Sequence, residues 1–360
     1  MSQCPCTDRT ILLFMGKSLR VGLALSLTLA IHSYPVVALA QDENREPDTT
    51  GRYLILDTVR VSTMRKELSA AAAAGFRVVT GDSGNNTLLL EKDPEGKKHE
   101  YLFTDSLPHS VEKGELKGYR VLAETFGIGS SGPTRAVFEK LAEGEPQSEY
   151  HVLHTLYTSN FEKDLNAWAA KGFRLLALSG SSGNDGLMER ASGSPASGPA
   201  DRYVLLATSK TGTMEKELAQ TVARGYRVVA ATGAHKEMLV ALEKTAPSDA
   251  GPEYRLLSAT QSGTLEKEIV EASGEGYRLL PSTLCALEKS AGLFGTWAYE
   301  TAAIMEKIPG GRVPQYKLLA TRRVPTLQKE LTEAAAAGWT VSRLFLSYEE
   351  QIIVLEKAEE

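Results

Sequence analysis

A tyrosine followed by apolar residues recurs at Tyr53, Tyr101, Tyr150, Tyr203, Tyr254 and Tyr316, and each is answered by a glycine-aromatic pair. The pairs are Gly75-Phe76, Gly118-Tyr119, Gly172-Phe173, Gly225-Tyr226, Gly276-Tyr277 and Gly338-Trp339. The Tyr-to-Gly offset is 22 residues in five copies and 17 in the second. A period this short makes the chain an array of small like units instead of one large core, so every later motif has to be judged within the repeat.

Each copy ends in an apolar run and a charged pair: Leu90-Glu91-Lys92, Phe138-Glu139-Lys140, Met188-Glu189-Arg190, Leu242-Glu243-Lys244, Met305-Glu306-Lys307 and Leu355-Glu356-Lys357. In the fifth copy Leu287-Glu288-Lys289 competes. The later triplet is preferred because it keeps the spacing to Tyr316 close to that of the other copies.

The repeat translates into local structure. Its opening, as in Tyr203-Val204-Leu205-Leu206, has the aromatic and branched residues that suit a strand. Ten residues after the tyrosine, Thr63, Asn160, Thr213, Thr264 or Thr326 is expected to cap a helix. Apolar residues four apart follow, such as Met214 and Leu218, giving a narrow helical stripe backed by Glu-Lys-Glu charges facing water. The glycine then ends the helix, where a left-handed backbone is accessible at little cost only without a Cβ. A second strand, a Gly/Ser/Asn turn and a third strand complete the unit.

The expected fold class is therefore α+β: six tandem βαββ modules with small, mostly antiparallel sheets and helices on one face, packed as three successive pairs. A unit of about 42 residues lies near the size below which a core seldom holds alone. The expected boundaries are a signal peptide over 1–40, a polar segment over 41–51, and repeats over 52–93, 100–141, 149–190, 202–245, 253–308 and 315–358. A linker covers 191–201, and the fifth repeat carries a hairpin insertion over 290–303. The pattern Tyr-x-Leu-Leu, helix, Gly-Tyr/Phe/Trp and terminal Leu-Glu-Lys resembles small bacterial strand-helix-strand-strand domains of unknown function that usually occur singly. The resemblance implies a fold and a bacterial origin, and brings no catalytic residues.

The N-terminus reads as an export signal. Lys17 and Arg20 precede the apolar run 21–31, and Ala38-Leu39-Ala40 precedes the polar Gln41, so cleavage is expected after Ala40, with a periplasmic or secreted product. The start is open between Met1 and Met15. The run is short of the roughly 20 residues needed for a span, so cleavage is preferred over the alternative of an uncleaved anchor extended through Val36-Val37, and no membrane span is expected after cleavage. Beyond residue 40 the chain has 37 basic and 44 acidic residues, a net charge of −7, which argues against nucleic acid as a partner. Only Cys285 remains, so no internal disulfide is available.

Short motifs that suggest chemistry lose force within the repeat. Ser110-Val111-Glu112-Lys113 with Lys210-Thr211-Gly212 is similar to two signatures of penicillin-binding enzymes, but Lys113 matches the helix lysines Lys66, Lys163, Lys216, Lys267 and Lys329. Gly81-Asp82-Ser83-Gly84 reads as a hairpin turn, and Gly127-x-Gly129-x-x-Gly132 is followed by proline instead of a helix. His99, His109, His151, His154 and His235 share no repeat position, so no metal and no cofactor is expected.

An arginine two residues after each glycine, at Arg77, Arg120, Arg174, Arg227 and Arg278, is expected to meet the glutamate of the same module's third strand. Phe294, Trp297 and Tyr299, on the insertion of the fifth copy, are candidates for binding a protein or glycan. The expected function is an exported, non-enzymatic repeat protein that binds or scaffolds a macromolecule of the cell envelope. The alternatives are a serine-dependent hydrolase using Ser110 and Lys113, and a structural spacer. The oligomeric state is left open.

Overall fold

The computed structural model describes residues 49–358 apart from 83–85, 130–132, 181–183, 235, 246–250, 292–295, 311 and 348–349; the side chains of 289–291 and 296–298 also lie outside the described set. The protein is α+β, with six helices and six small antiparallel sheets among the described residues. In the first module a strand, Tyr53–Asp57, leads into the helix Val61–Ala73, and two strands, Phe76–Gly81 and Thr87–Lys92, follow. The third strand lies between the other two, pairing Tyr53 with Glu91 on one side and Phe76 with Lys92 on the other. This order recurs in every sheet, and the fifth gains an extra strand, Cys285–Ala291, hydrogen-bonded to the first half of the long strand Thr296–Lys307. The second half of that strand pairs with Tyr254–Ala259 and Tyr277–Leu279, so the Met305-Glu306-Lys307 triplet closes the fifth copy.

The repeated glycine is used as its position demands. Gly75, Gly118, Gly172, Gly225, Gly276 and Gly338 all have φ between +84° and +87°, a backbone that a Cβ would strain. The helix starts depart from expectation. Thr63, Asn160, Thr213, Thr264 and Thr326 lie at the third helical residue, and the caps are Arg60, Tyr157, Lys210, Gln261 and Arg323, none with a side-chain cap bond. A threonine two residues before the cap acts instead: Thr155, Thr208 and Thr321 accept the backbone N–H of Tyr157, Lys210 and Arg323. Such hydroxyl turns compete with capping for the same donors.

The packing corrects two further expectations, helices on one face of each sheet and modules in three pairs. The third strands are continuous apolar runs because both faces of each sheet are covered. In the first module Leu88 and Leu90 pack with Met64 and Leu68 of the module's own helix, whereas Leu89 packs with Leu327 and Leu331 of the sixth helix. Each helix is thus held between its own sheet and the back of the following sheet. A core bridges each of the six boundaries, including the one between the last module and the first. The array closes into a ring.

Two polar joints repeat at these boundaries. The tyrosine that opens each module accepts a backbone N–H from the second strand of the module before it. Val78, Val121, Leu175, Val228 and Leu279 donate to Tyr101, Tyr150, Tyr203, Tyr254 and Tyr316 at 3.0, 3.1, 2.8, 3.1 and 3.0 Å. Val341 donates to Tyr53 at 3.3 Å and closes the series. The first strand is an edge, and side chains of the preceding helix cover it. Glu162 accepts from Leu205 N at 2.8 Å, Glu266 accepts from Leu318 N at 3.0 Å, and Gln328 pairs with both Ile55 N and Tyr53 O at 2.9 Å. These glutamates, read from the sequence as solvated, sit at module joints.

Candidate functional site

The second strands stand around the ring axis. That of the first module touches the second strand of the sixth and a 3-10 turn, Ala123–Thr125, of the second module. The turn touches the second strand of the third module, Arg174–Ser179, which touches that of the fourth, Tyr226–Ala234. The extra strand of the fifth module links the fourth to the sixth, whose second strand is Thr340–Ser347. The approach is close: a Cβ at Gly233 would lie 2.1 Å from the Ala286 carbonyl oxygen.

Within these strands lies a cavity of about 740 Å³. Its shape follows from the repeat. A bulge precedes the fifth residue after the glycine in the first, third, fourth and sixth modules, between Val78 and Thr80, Leu175 and Ala177, Val228 and Ala230, and Val341 and Arg343. That fifth residue faces the cavity as Ala123, Ala177, Ala230, Pro281 and Arg343. Four small or compact side chains leave the space, and one arginine enters it. Phe126, Leu176, Leu284 and Phe345 supply apolar wall, and Thr232, Ser282 and Ser342 supply hydroxyls.

Arg343 is enclosed by the ring yet keeps some accessible surface toward the cavity. Its Nη1 donates to the Glu124 carbonyl oxygen at 3.2 Å, while its buried Nε has no acceptor. Among the described residues it has no ion-pair partner, although the Glu124 and Asp82 carboxylates act on it through space. Burial pushes the guanidinium below its ordinary pKa against their pull. The repeated-arginine pattern misses Arg343, since it stands five residues after Gly338, not two. Aligning the copies at that position would have isolated it, because the other five hold Thr80, Ala123, Ala177, Ala230 and Pro281.

The repeated arginines lie elsewhere, two pairing within their modules and two across the joints. Arg77 and Arg120 meet Glu91 and Glu139 of their own modules, with Arg77 Nη2 to Glu91 Oε2 at 2.6 Å. Arg174 and Arg227 instead cross to Glu243 and Glu306 of the next module, the first at 3.1 Å and the second at 2.5 Å. Burial works to raise the Glu91 carboxyl, and the bonds from Arg77 and Arg52 overcome it, so the group titrates below its ordinary 4.5. Burial pushes the joint tyrosines up, Tyr150 and Tyr316 to about 12.

The other sequence candidates disperse. Ser110 is buried on a short helix, Leu107–Glu112, and its hydroxyl donates to Glu115 at 2.9 Å. Lys113 is the residue that ends this helix, and Lys210-Thr211-Gly212 opens the helix of the fourth module. Phe294 lies outside the described residues, as does the side chain of Trp297, whereas Tyr299 is half-buried and lines the axial cavity beside the buried Cys285. His235 is likewise outside the described residues. His99 bridges Asp93 and Glu139 at 3.0 and 2.7 Å, His154 meets the buried Asp185, and His151 stacks on Trp168 with ring centroids 3.4 Å apart. Among the described residues no group of three or more His, Cys, Asp or Glu is placed to hold a metal ion, and no helix is long and apolar enough to cross a membrane.

One rim of the ring carries exposed apolar side chains. Val59, at 83% exposure, and Leu156 and Tyr157, at 61% and 68%, occupy the same strand-to-helix loop in the first and third modules. No protein-family model, curated protein or solved structure matches the chain.

Proposed function

We propose that the protein is exported, that its repeats are copies of the small bacterial βαββ domain they resemble, and that it works without catalysis as a binding ring for a macromolecule of the cell envelope. The observation that carries this reading is the apolar loop rim at Val59, Leu156 and Tyr157. A closed ring holds these loops at fixed separations, so a partner meets a preordered surface and little ordering entropy opposes binding. The hydroxyl of Ser110 is engaged by Glu115, which favours the binding reading over the hydrolase alternative.

The test is recovery of the full mature chain from its own envelope fraction under mild extraction, with bound protein or glycan identified by mass. A stoichiometric partner is expected with the wild type and is lost when Val59, Leu156 and Tyr157 are all replaced by Ser. A chain that retains nothing, or a variant that retains the same partner, refutes the reading.

A further inference from the structure

We infer that the axial cavity is a binding site for a small monocarboxylic acid, with its carboxylate on Arg343 and its apolar body against Phe126, Leu176, Leu284 and Phe345. This goes beyond the rim reading and rests on different residues. The volume of about 740 Å³ falls within the range of small-molecule sites.

Three observations select the ligand class. First, Nη1 of Arg343 is held by the Glu124 carbonyl, which leaves the Nε–Nη2 edge, the pair of parallel N–H groups that matches a carboxylate. Nε is buried without an acceptor, and a buried donor in that state is costly enough to favour any oxyanion that reaches it. Second, the Asp82 and Glu124 carboxylates lie close enough to act on the guanidinium. They oppose any anion that approaches, and a phosphate dianion more strongly than a monocarboxylate. Third, the corresponding residue is small or compact in the other modules that line the cavity, Ala123, Ala177, Ala230 and Pro281, so the wall opposite the arginine accepts an apolar chain.

Octanoate is the probe, titrated calorimetrically into the full mature chain. One octanoate per chain is expected, and Arg343→Gln weakens binding by about 30-fold or more, the scale for removing one partner of a buried charge pair. Arg343→Lys keeps the charge but loses the parallel donors, and is expected to fall between the two. If Arg343→Gln fails to fold, the wild type decides: octanoate raises its thermal midpoint more than equal concentrations of octan-1-ol or inorganic phosphate. Equal octanoate affinity in wild type and Arg343→Gln, no octanoate binding by either measure, or tighter binding of phosphate overturns the inference. Recovery of an envelope partner through the rim is unaffected by Arg343→Gln, so failure of one reading is distinguishable from failure of the other.

Discussion

Tyr53→Phe tests whether the ring is closed. The substitution deletes one hydroxyl and keeps the ring of Tyr53 in the core it shares with Leu327 and Leu331. What is lost is the acceptor for Val341 N–H at 3.3 Å, between the two ends of the array. A buried donor left without a partner costs about 1–3 kcal/mol. Val341 is only half-buried and the bond is long, so about 1–2 kcal/mol is expected. Tyr203→Phe removes the same bond at an internal joint, where the distance to Leu175 N is 2.8 Å and the donor is buried, so about 2–3 kcal/mol is expected. In an open array Tyr53 would lie on a terminal strand, and its hydroxyl would be worth no more than about 0.5 kcal/mol. Urea unfolding of the two variants and their combination distinguishes the cases. Loss of stability in Tyr203→Phe with no measurable loss in Tyr53→Phe refutes closure.

Gly233→Ala places a Cβ 2.1 Å from a backbone oxygen and is expected to destabilise by about 3 kcal/mol or more in the same assay, since neither strand can withdraw without opening the axis. Gly263→Ala, in a helix with nothing near the new methyl, is expected to stabilise by about 0.5–1 kcal/mol. Burial first, and then the charge of Lys171, hold His151 below its ordinary 6.5. The unfolded chain therefore takes up the proton at a higher pH than the folded one, so stability falls as the pH drops below about 6.5, and His151→Phe should flatten that part of the urea-midpoint profile. N-terminal sequencing of the chain recovered from its own cells is expected to read Gln-Asp-Glu-Asn from Gln41; recovery of residues 1–40 contradicts the proposed cleavage site.

The legible parts of the fold are those that depend on neighbours in sequence. Gly75 and its five counterparts mark a helix end because a left-handed backbone is a property of one residue. The apolar pairs such as Met64 and Leu68 mark a buried stripe because helical spacing is local. The helix caps lie three residues before the expected ones, since a threonine hydroxyl serves an upstream turn as readily as a cap. Glu162 and Glu266 looked solvated because the strands they cover belong to another module. The tyrosines were visible as strand residues, but their hydroxyls acquire a purpose only when the second strand of the preceding module is brought against them. Arg343 was the cavity residue most open to discovery, as the sole arginine at a position otherwise small or compact. It escaped notice because nothing in sequence says which repeat position faces an axis.

The repeat alone determined that this chain is α+β, built from small sheets, and unable to rest on one large core: a short period of strand and helix signals permits nothing larger. Tertiary structure decided that the array returns on itself, that helices cover both faces of every sheet, and that an arginine points into an axial cavity. These depend on the small rotation from each module to the next, a sum over six interfaces that no single copy contains.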